Sequence, residues 1–301
     1  MRADTLTPYI FLAPSLLVLG VALLYPIAYM IYASFLDWNP SQLISEAEWV
    51  GLRNYQNLLN DPNFIESFLV TLTFASVVVS LELVIGVGLA LLLDRELRGM
   101  SVLRTVFILP MMIAPIVVGL IWRYMYHPSV GIFNRTLESI GLGSIPWLSD
   151  PSWSLASIII ADIWQWTPFI FILALAALQS MPKSALEASR IDGATEWQQV
   201  LYIKLPLMMP VLIVTGLLRL IDAFKVLEVI LVMTNGGPGL STEILALRIS
   251  RTASEFQELG VAAAMSNYLL MLLLVITLAM FGFNRWSEAR ARRVRAAAEE
   301  A

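Results

Sequence analysis

The polar segment EASRIDGA, residues Glu187–Ala194, lies between two long apolar stretches and is soon followed by IKLP, residues Ile203–Pro206. A helix can begin at Pro182, and Ser184–Ala188 favour its first turns. Asp192-Gly193 is typical of a helix end, because glycine readily adopts the left-handed conformation. Thr195 can then open a second short helix that runs through Tyr202. We expect Leu205-Pro206 to turn the chain back into the next apolar stretch. Residues 182–205 are therefore predicted to form two short helices joined at a glycine and exposed to water.

The rest of the sequence is typical of a membrane protein. Hydrophobic residues make up 58% of the 301 residues and charged residues only 14%, against about 25% charged in soluble domains. The mean hydropathy is +0.75. A transmembrane helix needs about 20 apolar residues, and continuous apolar runs favour helices over a barrel. We predict an all-α integral membrane protein, a single domain over 1–301, with six spans at 9–35, 68–93, 102–126, 155–178, 206–233 and 261–283.

Lys and Arg residues set the expected orientation. The first span is too long for the apolar core of a signal peptide, and no small-residue cleavage pattern follows it, so we expect it to be retained. Loops carrying Arg2, Arg95 and Arg98, segment 182–205 and the basic stretch 285–295 together hold more positive charge than the opposite loops. Both termini and segment 182–205 are therefore predicted to be cytoplasmic. Residues 37–66 become an outer loop, long enough for a small subdomain or an interfacial helix.

Several function classes find little support in the composition. The sequence has no cysteine and a single histidine, His127, so it offers no thiolate or histidine-rich metal site and no His-based catalytic triad. It contains no phosphate-binding G-x-x-x-x-G-K-[ST] motif. The net charge of −4 does not favour binding to nucleic acid, which is itself negatively charged. We predict no catalytic residues and no metal site.

Polar residues interrupt the fourth and fifth predicted spans. Ionisable groups inside a membrane usually face a cavity or a partner. Residues spaced i, i+4, i+7 share one face of a helix, and an acid beside aromatic rings suits sugar hydroxyls and the apolar face of a pyranose. Ion pairing at i, i+3 along the fifth span is an equally open alternative. Lys225 and Glu228 are interpreted as structural, and Glu82 in the second span as a buried packing or pairing residue. The candidate site residues are Asp162, Trp166 and Phe169 in the fourth span and Arg219, Asp222, Ala223 and Val226 in the fifth.

Taken together, the quoted segments resemble the cytoplasmic coupling loop of permease subunits in binding-protein-dependent ABC transporters. Over nearly its whole length the chain is similar to the carbohydrate-uptake group, which includes the maltose-transporter subunits. Ser189 and Val200 depart from that pattern, where alanine and an aromatic residue are common. Further matching segments, in order, are Leu109-Pro110, Ile121-Trp122-Arg123, Ile145-Pro146-Trp147-Leu148, Asp222-Ala223-Phe224 and Thr234-Asn235-Gly236-Gly237-Pro238.

The resemblance implies a membrane-spanning permease of an ATP-driven importer in the inner or plasma membrane of a prokaryote. A carbohydrate or polyol, delivered by an extracytoplasmic binding protein, would cross by alternating access. A second homologous permease and two ATPase subunits would complete the transporter. This chain would bind no cofactor and catalyse no reaction, because ATP and Mg would sit on the ATPase. The implied ATPase-coupling residues are Glu187, Ala188, Asp192, Gly193, Ala194, Leu205 and Pro206.

Two alternatives stay open at this level. A secondary transporter driven by an ion gradient would need no ATPase, but it leaves the segment from Glu187 to Pro206 unexplained. Arg219 and Lys225 could instead indicate an anionic solute. Nearby Asp222 and Glu228 offset their charge, so a neutral carbohydrate or polyol remains the first expectation.

Overall fold

The computed structural model of the chain describes residues 7–94 and 99–299. Arg2, Arg95 and Arg98, used above to orient the chain, lie outside the described residues. Almost all regular structure is helical, as predicted. In chain order the helices are α1 (Thr7–Ala33), α2 (Arg53–Leu59), α3 (Pro62–Leu93), α4 (Met100–Ile108), α5 (Pro115–Met125), α6 (Ile132–Ser139), α7 (Pro151–Gln179), α8 (Lys183–Ile191), α9 (Glu196–Gln199), α10 (Leu205–Ala223), α11 (Glu228–Met233), α12 (Leu245–Ser254) and α13 (Leu259–Glu299).

Within the described residues, five helices are long and apolar enough to cross a membrane. They contain the segments Phe11–Ala33, Pro62–Leu93, Pro151–Gln179, Glu196–Ala223 and Leu259–Met280. A sixth crossing would consist of two shorter helical pieces, Arg104–Met112 and Pro115–Met125, which meet at an angle of 100°. The predicted helical membrane fold is therefore confirmed.

The predicted third span, 102–126, is wrong as a single helix. After α4 the chain forms a 3-10 turn over Leu109–Met112, and Ile113 and Ala114 then adopt extended backbone angles before α5 starts at Pro115. The residue before a proline is sterically pushed out of the helical region. Pro115 therefore explains both the break and the clean start of α5, where the missing N–H group of a proline is harmless.

The predicted fifth span, 206–233, is likewise not one continuous helix, and the turn predicted before it is absent. Helix α10 ends at Ala223, and α11 begins only at Glu228. At the other end, α9 continues into α10 through a π-helical turn over Val200–Lys204, so Leu205-Pro206 does not turn the chain. Pro206 lies in the first turn of α10, where a proline is tolerated.

One compact unit combines the described residues up to Ile65 with Arg248–Leu272. Here β1 (Leu36–Asp37) pairs antiparallel with β2 (Glu48–Trp49), and α2 follows. The predicted outer loop, 37–66, thus contains a small hairpin and a helix, and α3 already begins at Pro62. The Tyr55 hydroxyl, which accepts a hydrogen bond of 2.8 Å from the Asn267 amide, ties α2 to α13 inside this unit.

The other unit, Glu66–Leu247 with the chain after Leu273, contains α3, α7 and α10. Its core includes Ala90, Phe171, Ala174 and Met208, all fully buried. Close approach of α3 to α7 depends on Gly86, because a Cβ atom there would come within 2.8 Å of the Ile170 side chain. The three helices are thus held tightly enough for polar side chains on each to meet.

Candidate functional site

The coupling segment, residues 182–205, begins with α8 and a sharply defined turn. Gly193 has φ +78°, a left-handed conformation. Its N–H donates to the Arg190 carbonyl (3.1 Å), and the N–H of Ala194 donates to the Ser189 carbonyl (2.9 Å). These two bonds make a Schellman motif, which satisfies carbonyls that a helix end would otherwise leave without partners. The predicted role of Asp192-Gly193 as a helix stop is confirmed.

The second helix of the segment starts with a capping box. The Thr195 hydroxyl accepts a hydrogen bond from the Gln198 N–H (3.3 Å), and the Gln198 side chain accepts one from the Thr195 N–H (2.8 Å). Such reciprocal bonds satisfy two free donors at a helix start. Both sides of the turn at Gly193 are therefore fixed by local hydrogen bonds.

The surface of the coupling segment combines exposed charged residues with large apolar side chains. Glu187 and Ala188 are exposed on α8. Ile191, Trp197 and Tyr202 are 87%, 69% and 76% exposed. Sequence reasoning singled out the charged residues and missed these large side chains, although two aromatic residues in so polar a segment were a signal of a contact surface.

Structurally, the predicted coupling residues fall into two groups. Glu187, Ala188, Asp192, Gly193 and Ala194 belong to α8 and its turn. Leu205 and Pro206 instead begin α10, after the π-helical turn.

Buried ionisable side chains from three helices meet in the second unit. Arg219 of α10 is 1% exposed. Its Nε donates to Glu82 Oε2 at 2.8 Å and its Nη2 to Glu82 Oε1 at 3.1 Å. Nη2 also bonds to Asp162 Oδ2, and Nη1 donates to Asp222 Oδ2 at 3.2 Å. We call Glu82, Asp162, Arg219 and Asp222 the charge cluster.

The structure brings some of the predicted site residues together and leaves others apart. Trp166 contacts the charge cluster, because its ring centroid lies 5.2 Å from Arg219 Cζ in a cation–π contact. Phe169 is half-buried on the next turn of α7, and Ala223 is buried at the end of α10. Val226 lies beyond α10, in the break before α11. The common face predicted for Arg219, Asp222, Ala223 and Val226 therefore stops at Ala223.

Burial separates the members of the charge cluster. Glu82 and Asp162 are fully buried with Arg219, whereas the side chain of Asp222 is 47% exposed. The i, i+3 pairing of Arg219 with Asp222, expected as an alternative to solute contact, is present. Glu82 is a pairing residue, as expected, but its partner was unforeseen. Lys225 and Glu228 are exposed.

A second polar link was missed entirely in the sequence. The buried Gln165 amide donates to the Ile113 carbonyl at 3.1 Å. That carbonyl lies at the 100° break between α4 and α5, where regular helical hydrogen bonds cannot form. Gln165, on α7 between Asp162 and Trp166, thus holds the broken crossing.

These features define a class. The chain is a helical, multi-pass membrane protein that exposes a rigid helix–turn–helix segment between two spans and buries ion pairs among its membrane helices. Residues 82–293 match the family described as binding-protein-dependent transport system inner membrane component, and the chain belongs to this family.

Individual relatives agree with this assignment. The chain is 36% identical to the trehalose/maltose transport system permease protein of Thermococcus litoralis over 278 residues, covering 92% of this chain and 93% of the relative. It is 33% identical to the sn-glycerol-3-phosphate transport system permease protein of Yersinia enterocolitica, covering 92% and 93%. The fold matches a chain of a bacterial alginate ABC importer with a TM-score of 0.81 at 24% identity, covering 94% and 96%. The resemblance to carbohydrate-uptake ABC permeases is confirmed.

Proposed function

We propose that this chain is the permease subunit of an ATP-driven importer and that it translocates a carbohydrate or polyol delivered by an extracytoplasmic binding protein. The observation that carries the proposal is the coupling segment. It presents a hydrogen-bonded turn and three exposed large apolar side chains at the end of a membrane helix. A surface of this kind suits docking to a soluble partner, here one of two ATPase subunits, with a second, homologous permease beside this chain.

The continuity of α9 and α10 supports a mechanical role. Glu196–Ala223 forms a single helical rod of 28 residues, about 40 Å long at 1.5 Å per residue. One end is the exposed part of the coupling segment, and the other carries Arg219 and Asp222. In our proposal ATP binding by the partner moves the coupling segment, the rod carries that displacement to the charge cluster, and the permease alternates between its two open states.

The proposed solute path follows the accessible members of the candidate site. Trp166 offers an aromatic ring and Asp222 a half-exposed carboxylate, and Phe169 continues the same face of α7. Asp162 and Arg219 are fully buried in ion pairs and act here by positioning Trp166 and Asp222. Because Arg219 is already surrounded by carboxylates, the structure favours a neutral solute over an anionic one. Relatives named for trehalose/maltose and for starch degradation products agree with a neutral carbohydrate. Other relatives are named for sn-glycerol-3-phosphate and sulfoquinovosyl glycerol, which are anionic, so the preference for a neutral solute rests on the charge cluster.

Orientation completes the proposal. With both termini in the cytoplasm, the coupling segment faces the ATPase, and the predicted outer loop, 37–66, is available to the binding protein. The chain then supplies neither ATP hydrolysis nor a cofactor site, and Mg and ATP belong to the partner.

The test combines purification with reconstitution. A tagged chain is isolated from its native membrane in mild detergent, and the accompanying proteins are identified by mass spectrometry. The purified assembly is then placed in liposomes with binding protein and labelled sugars. We expect a second permease, an ATPase and uptake that requires ATP. A chain that purifies alone and transports alone, driven by an ion gradient, would refute the proposal.

A matched pair of variants tests the coupling segment itself. Glu187→Lys reverses an exposed charge on α8, and Glu138→Lys does the same on exposed α6. We expect only Glu187→Lys to abolish uptake and release the ATPase while the chain stays in the membrane. Equal uptake by both variants would remove the coupling role from α8.

A further inference from the structure

The charge cluster contains more acid than base. Its ionisable groups within the described chain are Glu82 from α3, Asp162 from α7, and Arg219 with Asp222 from α10. Three carboxyl groups thus surround a single guanidinium group. Asp222 is half-exposed and can keep its charge in contact with water, but Glu82 and Asp162 are fully buried and must share one counter-charge.

The two buried carboxyl groups also share one donor. Glu82 Oε1 and Asp162 Oδ2 both bond to the same nitrogen, Nη2 of Arg219. Two ionised carboxylates that converge on one buried nitrogen repel each other strongly, and a proton on one of them removes that repulsion. The other oxygen of Asp162, Oδ1, is buried with no hydrogen-bond partner.

An ionised carboxylate buried without full pairing carries a large desolvation cost, so such a group takes up a proton instead. A metal ion is the other way to offset the excess charge. In residues 7–94 and 99–299, however, no group of acidic or histidine side chains is arranged to hold one.

We propose that Glu82 and Asp162 together hold one proton, so that the buried part of the cluster is electrically neutral. One carboxylate then balances the Arg219 guanidinium, and the other carboxyl group is an uncharged acid. The proton belongs to the pair and not to either residue, since strongly coupled groups titrate as a unit. The site is therefore a proton-binding site among three membrane helices, independent of which solute the protein carries.

The proposal predicts a specific pattern of tolerance. An amide is close in shape to a protonated carboxyl group, so Glu82→Gln should preserve the packing, with Asp162 as the remaining counter-ion. Replacing both acids, as in Glu82→Gln with Asp162→Asn, leaves Arg219 with only the half-exposed Asp222. Arg219→Gln removes the only cation of the cluster.

Infrared difference spectroscopy tests the proton directly. The purified complex at neutral pH should show the carbonyl band of a protonated carboxylic acid. Subtracting the spectrum of Glu82→Gln, or of Asp162→Asn, should isolate that band, because in each variant the remaining acid becomes the ionised partner of Arg219. Asp222→Asn is the control and should retain it. A difference spectrum without the band would overturn the proposal.

Thermal stability supplies the second measurement. We expect Glu82→Gln to melt close to the unmodified complex, and both Arg219→Gln and the double amide variant to melt at clearly lower temperatures. If Glu82→Gln is as unstable as Arg219→Gln, or fails to assemble, both buried acids are needed as charges and the shared proton is excluded. A melting temperature that depends on the concentration of sodium or potassium would likewise refute the shared proton and indicate a bound cation.

Discussion

Gly193 offers the sharpest test of how the coupling segment works. The change is Gly193→Ala, and it introduces no steric clash, since a Cβ atom there would meet no other part of the chain within 4 Å. Its effect is therefore confined to the backbone. An L-residue in the left-handed region costs about 1–2 kcal/mol, which shifts the balance between the correct turn and its alternatives by a factor of about 5–30.

The same molecule contains a matched control. Helix α6 ends in an equivalent Schellman motif, with Gly141 at φ +79° and hydrogen bonds from Gly141 to Glu138 and from Leu142 to Leu137. A Cβ atom at Gly141 would also meet open space. Gly141→Ala therefore carries the same backbone cost at a helix end outside the coupling segment.

ATP-driven uptake by reconstituted complexes separates the two positions. We expect Gly193→Ala to lower uptake in proportion to the loss of molecules that form the correct turn. Gly141→Ala should leave uptake nearly unchanged. Gly193→Asn should recover much of the activity, because asparagine tolerates the left-handed region. Equal uptake by the two alanine variants, or no recovery with asparagine, would show that transmission does not depend on the turn.

Three further predictions concern the charge cluster and its neighbours on α7. Trp166→Ala should weaken uptake of sugar while leaving ATPase binding intact. Trp164→Ala, on another face of α7, is the control. Unchanged uptake by Trp166→Ala in a transport assay would show that Trp166 does not line the solute path. Arg219→Lys cannot reproduce the hydrogen bonds that three guanidinium nitrogens make to three acids. Breaking a buried pair costs about 3–5 kcal/mol, so a melting temperature equal to that of the unmodified complex would contradict the assigned ion pairs. Gln165→Leu leaves the Ile113 carbonyl without its donor, at a cost of about 1–3 kcal/mol. The complex should then melt at a lower temperature, and hydrogen exchange around the α4–α5 break should rise. Unaltered exchange there would show that Gln165 does not stabilise the break.

Local chemistry explains what could be predicted from the sequence. The turn at Gly193 depends on two local signals. Gly193 ends α8, and Thr195 caps the start of α9. The long apolar stretches likewise need only the thickness of the membrane to be recognised. The membrane fold and the turn of the coupling segment were therefore correctly predicted.

The errors occur where a local signal has two structural outcomes. A proline after an apolar stretch can bend the chain or can open a helix, and the neighbouring backbone decides between them. At Pro115 the chain bends by 100°. At Pro206 a π-helical turn carries α9 into α10 without a bend, although a turn was predicted there. Hydropathy also joined α10 to α11, since it does not detect the short break after Ala223.

The charge cluster could not be predicted as a unit because its members come together only in the folded bundle. Glu82 lies 137 positions from Arg219 in the chain, and Asp162 lies 57 positions from it. Each could be identified as an ionisable residue in an apolar helix, which indicates a buried partner but does not name it. The charge balance of the cluster depends on how many acids surround Arg219, and this number follows only from the packing of α3, α7 and α10.

These two features, the turn and the cluster, gain their significance from the helix that joins them. A loop that bent back at Leu205-Pro206 would absorb a displacement of the coupling segment locally. Because α9 and α10 form one continuous rod, the proposed mechanism has the same displacement move Arg219 relative to Glu82 and Asp162, which lie on other helices. A neutral, proton-sharing cluster resists that movement less than two ionised acids held on one cation would, since fewer unpaired charges are created when it loosens. The buried proton would therefore let the ion pairs between these helices separate at a moderate free-energy cost during transport.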